Sequence, residues 1–201
     1  MRIGIYGGTF DPVHFGHLLL AETCREAGQL DQVRFIPAAR SPFKPDALMT
    51  PGKARADMLD LATAGVPEFV VDRREIKREG ISYTVETLEQ LAKEFANDEL
   101  FLLMGADSLA DFPKWKDPSR ILELARVIAV NRGGEAEPTL DHIKAELGEE
   151  AASRIQILTM VSVAISSREL RQRIGEGKGI RFQTPRPVER YVETNGFYKQ
   201  G

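Results

Sequence analysis

Short apolar runs alternate with segments of helical period along the whole chain. Residues 2–6, 32–37, 69–72, 100–104, 126–131 and 154–158, with the cores IGIY, VRFI, FVV, LFLLM, VIAV and IQIL, read as strands. Nearly continuous apolar runs of this kind are what central strands of a parallel sheet show when helices cover both faces. Between the runs, Leu20, Cys24 and Ala27 form one helical stripe, and Val85, Leu88, Leu91, Ala92 and Phe95 form another. Asp117 followed by Pro118 predicts a cap and a first helical residue. A closing helix is expected over residues 187–198, ending near Asn195 and Gly196. The alternation predicts an α/β fold, a doubly wound and mostly parallel sheet with a small C-terminal helical portion. In such folds ligands bind at the carboxyl ends of the strands.

A length of 201 residues suits a single domain over residues 1–201, and neither an internal repeat nor a low-complexity linker interrupts it. With 27 Lys and Arg against 30 Asp and Glu, the chain lacks the basic balance of a general nucleic-acid binder. The single cysteine, Cys24, rules out an internal disulfide framework and a multi-cysteine zinc site. The longest apolar-leaning run, residues 157–165, is broken by Thr159 and Ser162 and is too short to span a membrane. The opening MRIGIY is strand-like and carries no signal-peptide pattern, so the expected setting is soluble and cytoplasmic.

Charge is unevenly spread. Residues 133–156 hold six acidic side chains against Lys144 and Arg154, and read as a solvated peripheral helix. Residues 165–190 reverse the sign, with seven Lys or Arg against Glu169, Glu176 and Glu189. A local basic patch on an acidic chain points to a small anionic ligand and away from a polymer. The oligomeric state is left open.

The first strand runs into Gly7-Gly8-Thr9-Phe10-Asp11-Pro12-Val13-His14-Phe15-Gly16-His17, where a helix starts between Pro12 and Phe15. Glycines here let main-chain N–H groups approach an anion, and the helix N-terminus favours negative charge. The loop is neither a Walker A loop nor a GxGxxG fingerprint. It offers His14 and His17, three residues apart and able to meet a common ligand, with Gly16 clearing a side chain between them. Spacing alone is equally compatible with two partly exposed polar residues. The pair has no third ligand nearby, so no metal site is read there.

The eleven residues GGTFDPVHFGH resemble the signature of the nucleotidyltransferase superfamily that carries an (H/T)xGH motif after its first strand. The resemblance implies a Rossmann-like nucleotidyltransferase fold. It also implies that Gly7, Gly8, Thr9, Phe10 and Gly16 belong to an ATP site. His14 and His17 would bind the phosphates there and stabilise transfer at the α-phosphorus.

Near the other end, Ser166 and Glu169 form a capping box that opens a helix. Ser167 and Arg168 lie in its first turn and Arg171 follows three residues later, so N–H groups, hydroxyls and guanidinium are expected to face one volume. Standing alone, the segment would favour a mere capped helix with exposed arginines. Ile165-Ser166-Ser167-Arg168-Glu169-Leu170-Arg171 is similar to the ISSxxxR element of the same superfamily, which implies a grip on the β- and γ-phosphates with Arg171 in a catalytic role.

The middle of the chain speaks to the acceptor. Gly105 and Asp107 follow the strand LFLLM and are placed to contact ribose hydroxyls, the alternative being an Asp that caps the next helix. Trp115, the one tryptophan, sits between Lys114 and Lys116 with Pro113 and Pro118 close by. An indole in such a loop either stacks on a flat heteroaromatic ring or joins the core. GISYTVETL (residues 80–88), GADSL followed by FPKW (residues 105–115) and the ending YVETNGFY (residues 191–198) are similar to the bacterial nicotinate-mononucleotide adenylyltransferases. The resemblance covers nearly the whole chain and implies that Trp115 stacks on the nicotinate ring. It implies that main-chain amides near Tyr83 and Thr84 take the ring carboxylate, and that Lys44 and Arg132 lie near the phosphates or the acceptor. Two positions depart from the family pattern: Phe43 stands where a His is often found, and Arg168 where Thr or Ser is frequent.

The implied reaction joins ATP and nicotinate mononucleotide into nicotinate adenine dinucleotide and pyrophosphate, with no enzyme nucleophile. Mg²⁺ is expected to be held mainly by substrate phosphates, without a protein ligand. Nicotinamide mononucleotide as an equal acceptor, phosphopantetheine as acceptor and a catalytically silent nucleotide-binding module are the alternatives. Trp115 and the Ser82–Thr84 segment count against phosphopantetheine, and intact His14, His17 and Arg171 against the silent module.

Overall fold

The computed structural model describes residues 1–42, 50–134, 136 and 138–199. Lys44 and Phe43 lie outside the described residues, as do Glu135 and Glu137. Six strands form one sheet: β1 (Arg2–Gly8), β2 (Gln32–Pro37), β3 (Phe69–Val71), β4 (Glu99–Gly105), β5 (Arg126–Arg132) and β6 (Ile155–Met160), in the order β3-β2-β1-β4-β5-β6. Every pairing is parallel.

The helices between the strands are α1 (Phe15–Ala27), α2 (Gly52–Thr63), α3 (Arg74–Arg78), α4 (Thr84–Glu94), α5 (Ala106–Leu109), α6 (Pro118–Leu124), α7 (Asp141–Leu147) and α8 (Glu149–Ser153). After β6 come α9 (Ser167–Gly175) and α10 (Arg186–Asn195).

Alternate residues of each strand feed two different cores, which is why the strands read as unbroken apolar runs. Leu100, Leu102 and Met104 of β4 join Ile3, Ile5, Val127 and Ala129 in one cluster, under Leu88 and Leu91 of α4. Phe101 and Leu103 face the other side with Val33, Phe35, Ile128 and Val130, where Leu20, Ala21 and Cys24 of α1 and Val188 and Val192 of α10 cover them. Ala27, expected in the α1 stripe, is exposed. It is the last residue of the helix, and Ala21 takes the buried place instead.

Local signals act largely as expected. Ser166 Oγ accepts from the Glu169 N–H at 3.2 Å and so caps the helix, while the Glu169 carboxylate takes the Ser166 hydroxyl at 2.8 Å in place of the main-chain N–H that a capping box would use. Pro118 opens α6, but Asp117 caps it without a side-chain hydrogen bond. Gly196 ends α10 with φ of 67°, a left-handed cap that suits glycine. The acidic stretch forms two short helices, α7 and α8, whose acidic residues are exposed.

The strand order reverses between β1 and β4, so the connections from these two strands leave in opposite directions and open a crevice at their carboxyl ends. A buried arginine holds the loop after β1 against that crevice. Arg55 of α2 is 1% exposed. Its Nε donates to the Thr50 carbonyl at 2.9 Å, Nη1 to Thr9 at 2.8 Å and Nη2 to Ala38 at 2.7 Å. Asp11, also buried, lies close enough to favour the guanidinium charge, against the desolvation that lowers the pKa of Arg55.

Arg55→Met keeps an unbranched apolar stem and leaves three carbonyls without their donor. It should lower unfolding free energy by about 3–5 kcal/mol, read from urea titration of far-UV circular dichroism.

Candidate functional site

Two cavities open at the crevice. The first, about 560 Å³, is lined by His14, Gly16 and His17 from the β1–α1 loop, Gly105 and Asp107 beyond β4, Arg132 at the end of β5, and Ile165, Ser166, Ser167, Arg168 and Arg171 around the start of α9. The second, about 340 Å³, is lined among others by Gly7, Gly8, Phe10, Glu75, Ser82, Thr84, Thr87 and Trp115. Tyr6, Thr9, His17, Gly105 and Ser108 line both, so the two volumes share a wall at the ends of β1 and β4. A Cβ placed on Gly7 or Gly105 would meet nothing within 4 Å, and what glycine leaves there is cavity.

His14 sits immediately before α1, in extended conformation, and His17 lies in its first turn. Their rings stack with centroids 3.7 Å apart and planes at 27°. The His14 main-chain N–H donates to His17 Nδ1 at 3.3 Å. An Nδ1 that accepts leaves the proton of the neutral ring on Nε2. The His14 Nδ1 is buried and has no hydrogen-bond partner among the described residues. Gly16 suits this arrangement, since a Cβ there would crowd His14 Nδ1 at 3.0 Å and Cε1 at 3.1 Å. The glycine leaves room for the histidine ring and also lines the first cavity.

Burial pushes the His14 pKa down to about 4, with Arg132 adding to the shift and Glu169 opposing it. His17 is also held well below its ordinary value, first by burial, then by His14 and Arg132. Both imidazoles are thus neutral at physiological pH.

The segment that opens α9 is tied to the histidine loop across the sequence. Ser167 Oγ donates to the Pro12 carbonyl at 2.8 Å, and Arg171 Nη1 donates to the Asp11 carbonyl at 2.7 Å. The Asp11 carboxylate accepts from the Thr50 N–H at 3.3 Å and from the Tyr198 hydroxyl. Thr184 Oγ1 donates to the Val13 carbonyl at 2.8 Å, and the Phe15 N–H to the Gln183 carbonyl at 3.1 Å. The Ser166 and Ser167 hydroxyls, expected to be spare donors, are therefore already engaged. Arg168 is exposed on the cavity rim.

Residues 5–173 match the family model described as Cytidylyltransferase-like. A protein of Roseiflexus sp. named "Probable nicotinate-nucleotide adenylyltransferase" is 45% identical over 199 residues, covering 98% of each chain. A Thermus thermophilus protein of the same name is 43% identical over 199 residues, covering 99% of this chain and all of its own. The chain belongs to the nicotinate-nucleotide adenylyltransferase family. The same fold is found in Plasmodium falciparum nicotinic acid mononucleotide adenylyltransferase complexed with NaAD, with a TM-score of 0.77 at 16% identity over 98% of this chain and 97% of that one.

Set in this family, the expected residues divide between the cavities. His14, Gly16, Asp107, Arg132, Ile165, Ser166, Ser167, Arg168 and Arg171 line only the first; Thr9, His17 and Gly105 line both. Asp107 follows Gly105, the N-cap of α5, and so does not cap that helix. Arg132, expected near the phosphates or the acceptor, lies with the histidines, because β5 ends beside β6 on the α9 side of the crevice. Gly7 and Gly8, expected in the ATP site, line the second cavity. Phe10 was expected there too, but its ring is buried against Tyr6, His17 and Phe35, so it supports the loop from beneath. Thr84 and Trp115 line the second cavity, whereas the Tyr83 ring packs on the core beneath Lys116, whose Nζ is 4.3 Å from the ring centroid.

Sequence reading assigned no role to Arg55, Glu75, Ser108 or Tyr198. For Arg55 a signal exists: it shares the apolar stripe of α2 with Met58 and Leu59, where a charge demands buried partners. Glu75 lies in a five-residue helix too short to show a stripe.

The histidine pKa values set a pH dependence of stability. A folded-state pKa near 4 against an ordinary 6.5 means that the unfolded chain takes up a proton the folded chain refuses between those values. Stability should be full above pH 6.5 and fall toward pH 4, His14 alone accounting for roughly 3 kcal/mol. Urea titrations across this range should show a shallower slope for His14→Gln.

Proposed function

We propose that this chain transfers the adenylyl group of ATP to nicotinate mononucleotide, releasing pyrophosphate. The observation that carries the reading is the shared wall: two cavities of different character meet at His17 and Thr9. One is rich in guanidinium groups and helix N-terminus, as a triphosphate requires; the other offers an indole and the N-terminal turn of α4, as a pyridine carboxylate requires. The acceptor phosphate would attack the α-phosphorus from the side of the second cavity. One oxygen–phosphorus bond forms, the bond to the bridging oxygen breaks, and pyrophosphate leaves into the first cavity.

In this reading no side chain acts as nucleophile. His17, with its proton on Nε2, donates a hydrogen bond to the reacting phosphate, and stacked His14 fixes its plane. Arg171, oriented by its hydrogen bond to Asp11, faces the leaving pyrophosphate together with Arg168, Arg132 and the N–H groups that open α9. Gly105 and Asp107 are the groups we assign to the ribose of ATP, and Trp115 and the amides at Thr84 to the acceptor ring. Lys44 is proposed near the acceptor on the family pattern alone.

Of the two carboxylates that line the first cavity, Asp11 is buried and hydrogen-bonded while Asp107 is exposed. Among the described residues no three His, Cys, Asp or Glu side chains gather as a metal site. This donor set suits a Mg²⁺ held by triphosphate oxygens and water, where it neutralises phosphate charge. Among the described residues no helix is long and apolar enough to cross a membrane, and we infer a cytoplasmic setting, where ATP is available.

Pyrophosphate release with ATP and Mg²⁺ tests the reading, with nicotinate mononucleotide, nicotinamide mononucleotide and phosphopantetheine offered in turn. Nicotinate mononucleotide should be turned over fastest; release with none of the three would end the enzyme reading. His17→Ala should lower kcat by about a hundred- to a thousand-fold with unfolding unchanged. Trp115→Ala should raise KM for the acceptor by about tenfold and leave KM for ATP in place.

A further inference from the structure

The second cavity contains one acidic side chain that no part of the reaction has used. Glu75, from α3, is 6% exposed and lines the cavity beside Ser82, Thr84 and Thr87. Its carboxylate accepts from Thr87 Oγ1 at 2.6 Å and is also hydrogen-bonded to the Ser82 side chain. Each hydroxyl is engaged on its other side as well. Thr87 Oγ1 accepts from Arg78 Nη2 at 3.2 Å, and Ser82 Oγ accepts from the Ala39 N–H at 3.0 Å.

A hydroxyl that donates once and accepts once is close to saturated. Two of the polar side chains in the wall are thereby withdrawn from any ligand. Thr87 lies one turn into α4, whose N-cap, Tyr83, supplies no side-chain hydrogen bond to the first N–H groups. Tying Thr87 to α3 and Ser82 to the β2 exit therefore fixes the direction of that first turn. Burial raises the Glu75 pKa, while Thr87, Ser82 and the Arg78 charge favour its ionised form.

We propose that Glu75 is a positioning residue that sets acceptor specificity: it holds the Ser82 and Thr87 hydroxyls turned away from the cavity, so that uncapped main-chain N–H groups of α4 are the donors a pyridine substituent meets. A wall of main-chain donors suits a carboxylate, which only accepts. A rotatable hydroxyl would serve a carboxamide equally well, because it can also accept from the amide N–H. Glu75 thus favours the acid over the amide without touching the ring. The proposal rests on the acceptor reading given above.

The test compares wild type, Glu75→Gln, Thr87→Val and the double variant in kcat and KM for ATP, nicotinate mononucleotide and nicotinamide mononucleotide. Glu75→Gln turns one hydroxyl hydrogen into the cavity. Thr87→Val leaves a Glu75 oxygen uncommitted and repulsive to a carboxylate. Each should lower the preference for the nicotinate over the nicotinamide nucleotide, measured as the ratio of kcat/KM values, by about tenfold. KM for ATP should stay within about twofold, and the double variant should fall no further than the single ones. A preference unchanged in both single variants, or a rise in KM that is equal for all three substrates, would overturn the proposal, as would a wild type indifferent to the two pyridine nucleotides. A wild type inactive with both would instead overturn the acceptor reading, and this proposal with it. Should Glu75→Gln fail to fold, Thr87→Val carries the same comparison.

Discussion

The buried guanidinium of Arg55 is the constraint on which the site depends. It joins the carbonyls of Thr9, Ala38 and Thr50, which belong to the β1 exit, the β2 exit and the approach to α2. Three stretches of irregular backbone thereby acquire one common donor, and none leaves its carbonyl buried and unpaired. An apolar residue at the same place could fill the volume but could not fix the direction of any of these segments. The cost is a desolvated charge, offset by three short hydrogen bonds and the nearby Asp11 carboxylate.

From that anchor the polar groups follow in sequence. Asp11 gives its carboxylate to Thr50 and Tyr198 and its carbonyl to Arg171, so the loop that ends at His14 and the guanidinium proposed to face pyrophosphate are positioned by a single residue. His14 in turn passes its N–H to His17, which fixes the tautomer. The electrostatics are consistent with this order: burial and Arg132 favour neutral imidazoles, so the positive charge in the cavity is carried by arginines.

Much of this was legible in the chain because it is written locally. All six strands were visible from apolar runs, since all but the edge strand β3 bury residues on both faces. His14, His17 and Arg171 stood out because each lies in a short run of chemistry-bearing residues at a strand or helix end. What escaped is what depends on distant partners. The Arg55 donors reach carbonyls up to 46 positions away, and Glu75 meets Thr87 twelve positions on in another helix. The division of site residues into two cavities also could not be read, because it depends on which side of the β1–β4 crevice each strand end falls. Arg132 lines the first cavity and Gly7 the second for that reason. Ala27 kept the helical period but lay at the helix end, where no sheet remains to cover it.

Besides Arg55 and Thr50, four further residues tie the histidine loop from 155 to 187 positions further along the chain: Ser167, Arg171, Thr184 and Tyr198. These four residues lie on or beside two peripheral helices that contribute no strand. Proteins open by cooperative units, and peripheral helices part from a sheet more readily than central strands part from each other. A local opening confined to α9 and α10 would therefore remove these four ties at once, while the Arg55 and Thr50 bonds and the six paired strands stay in place.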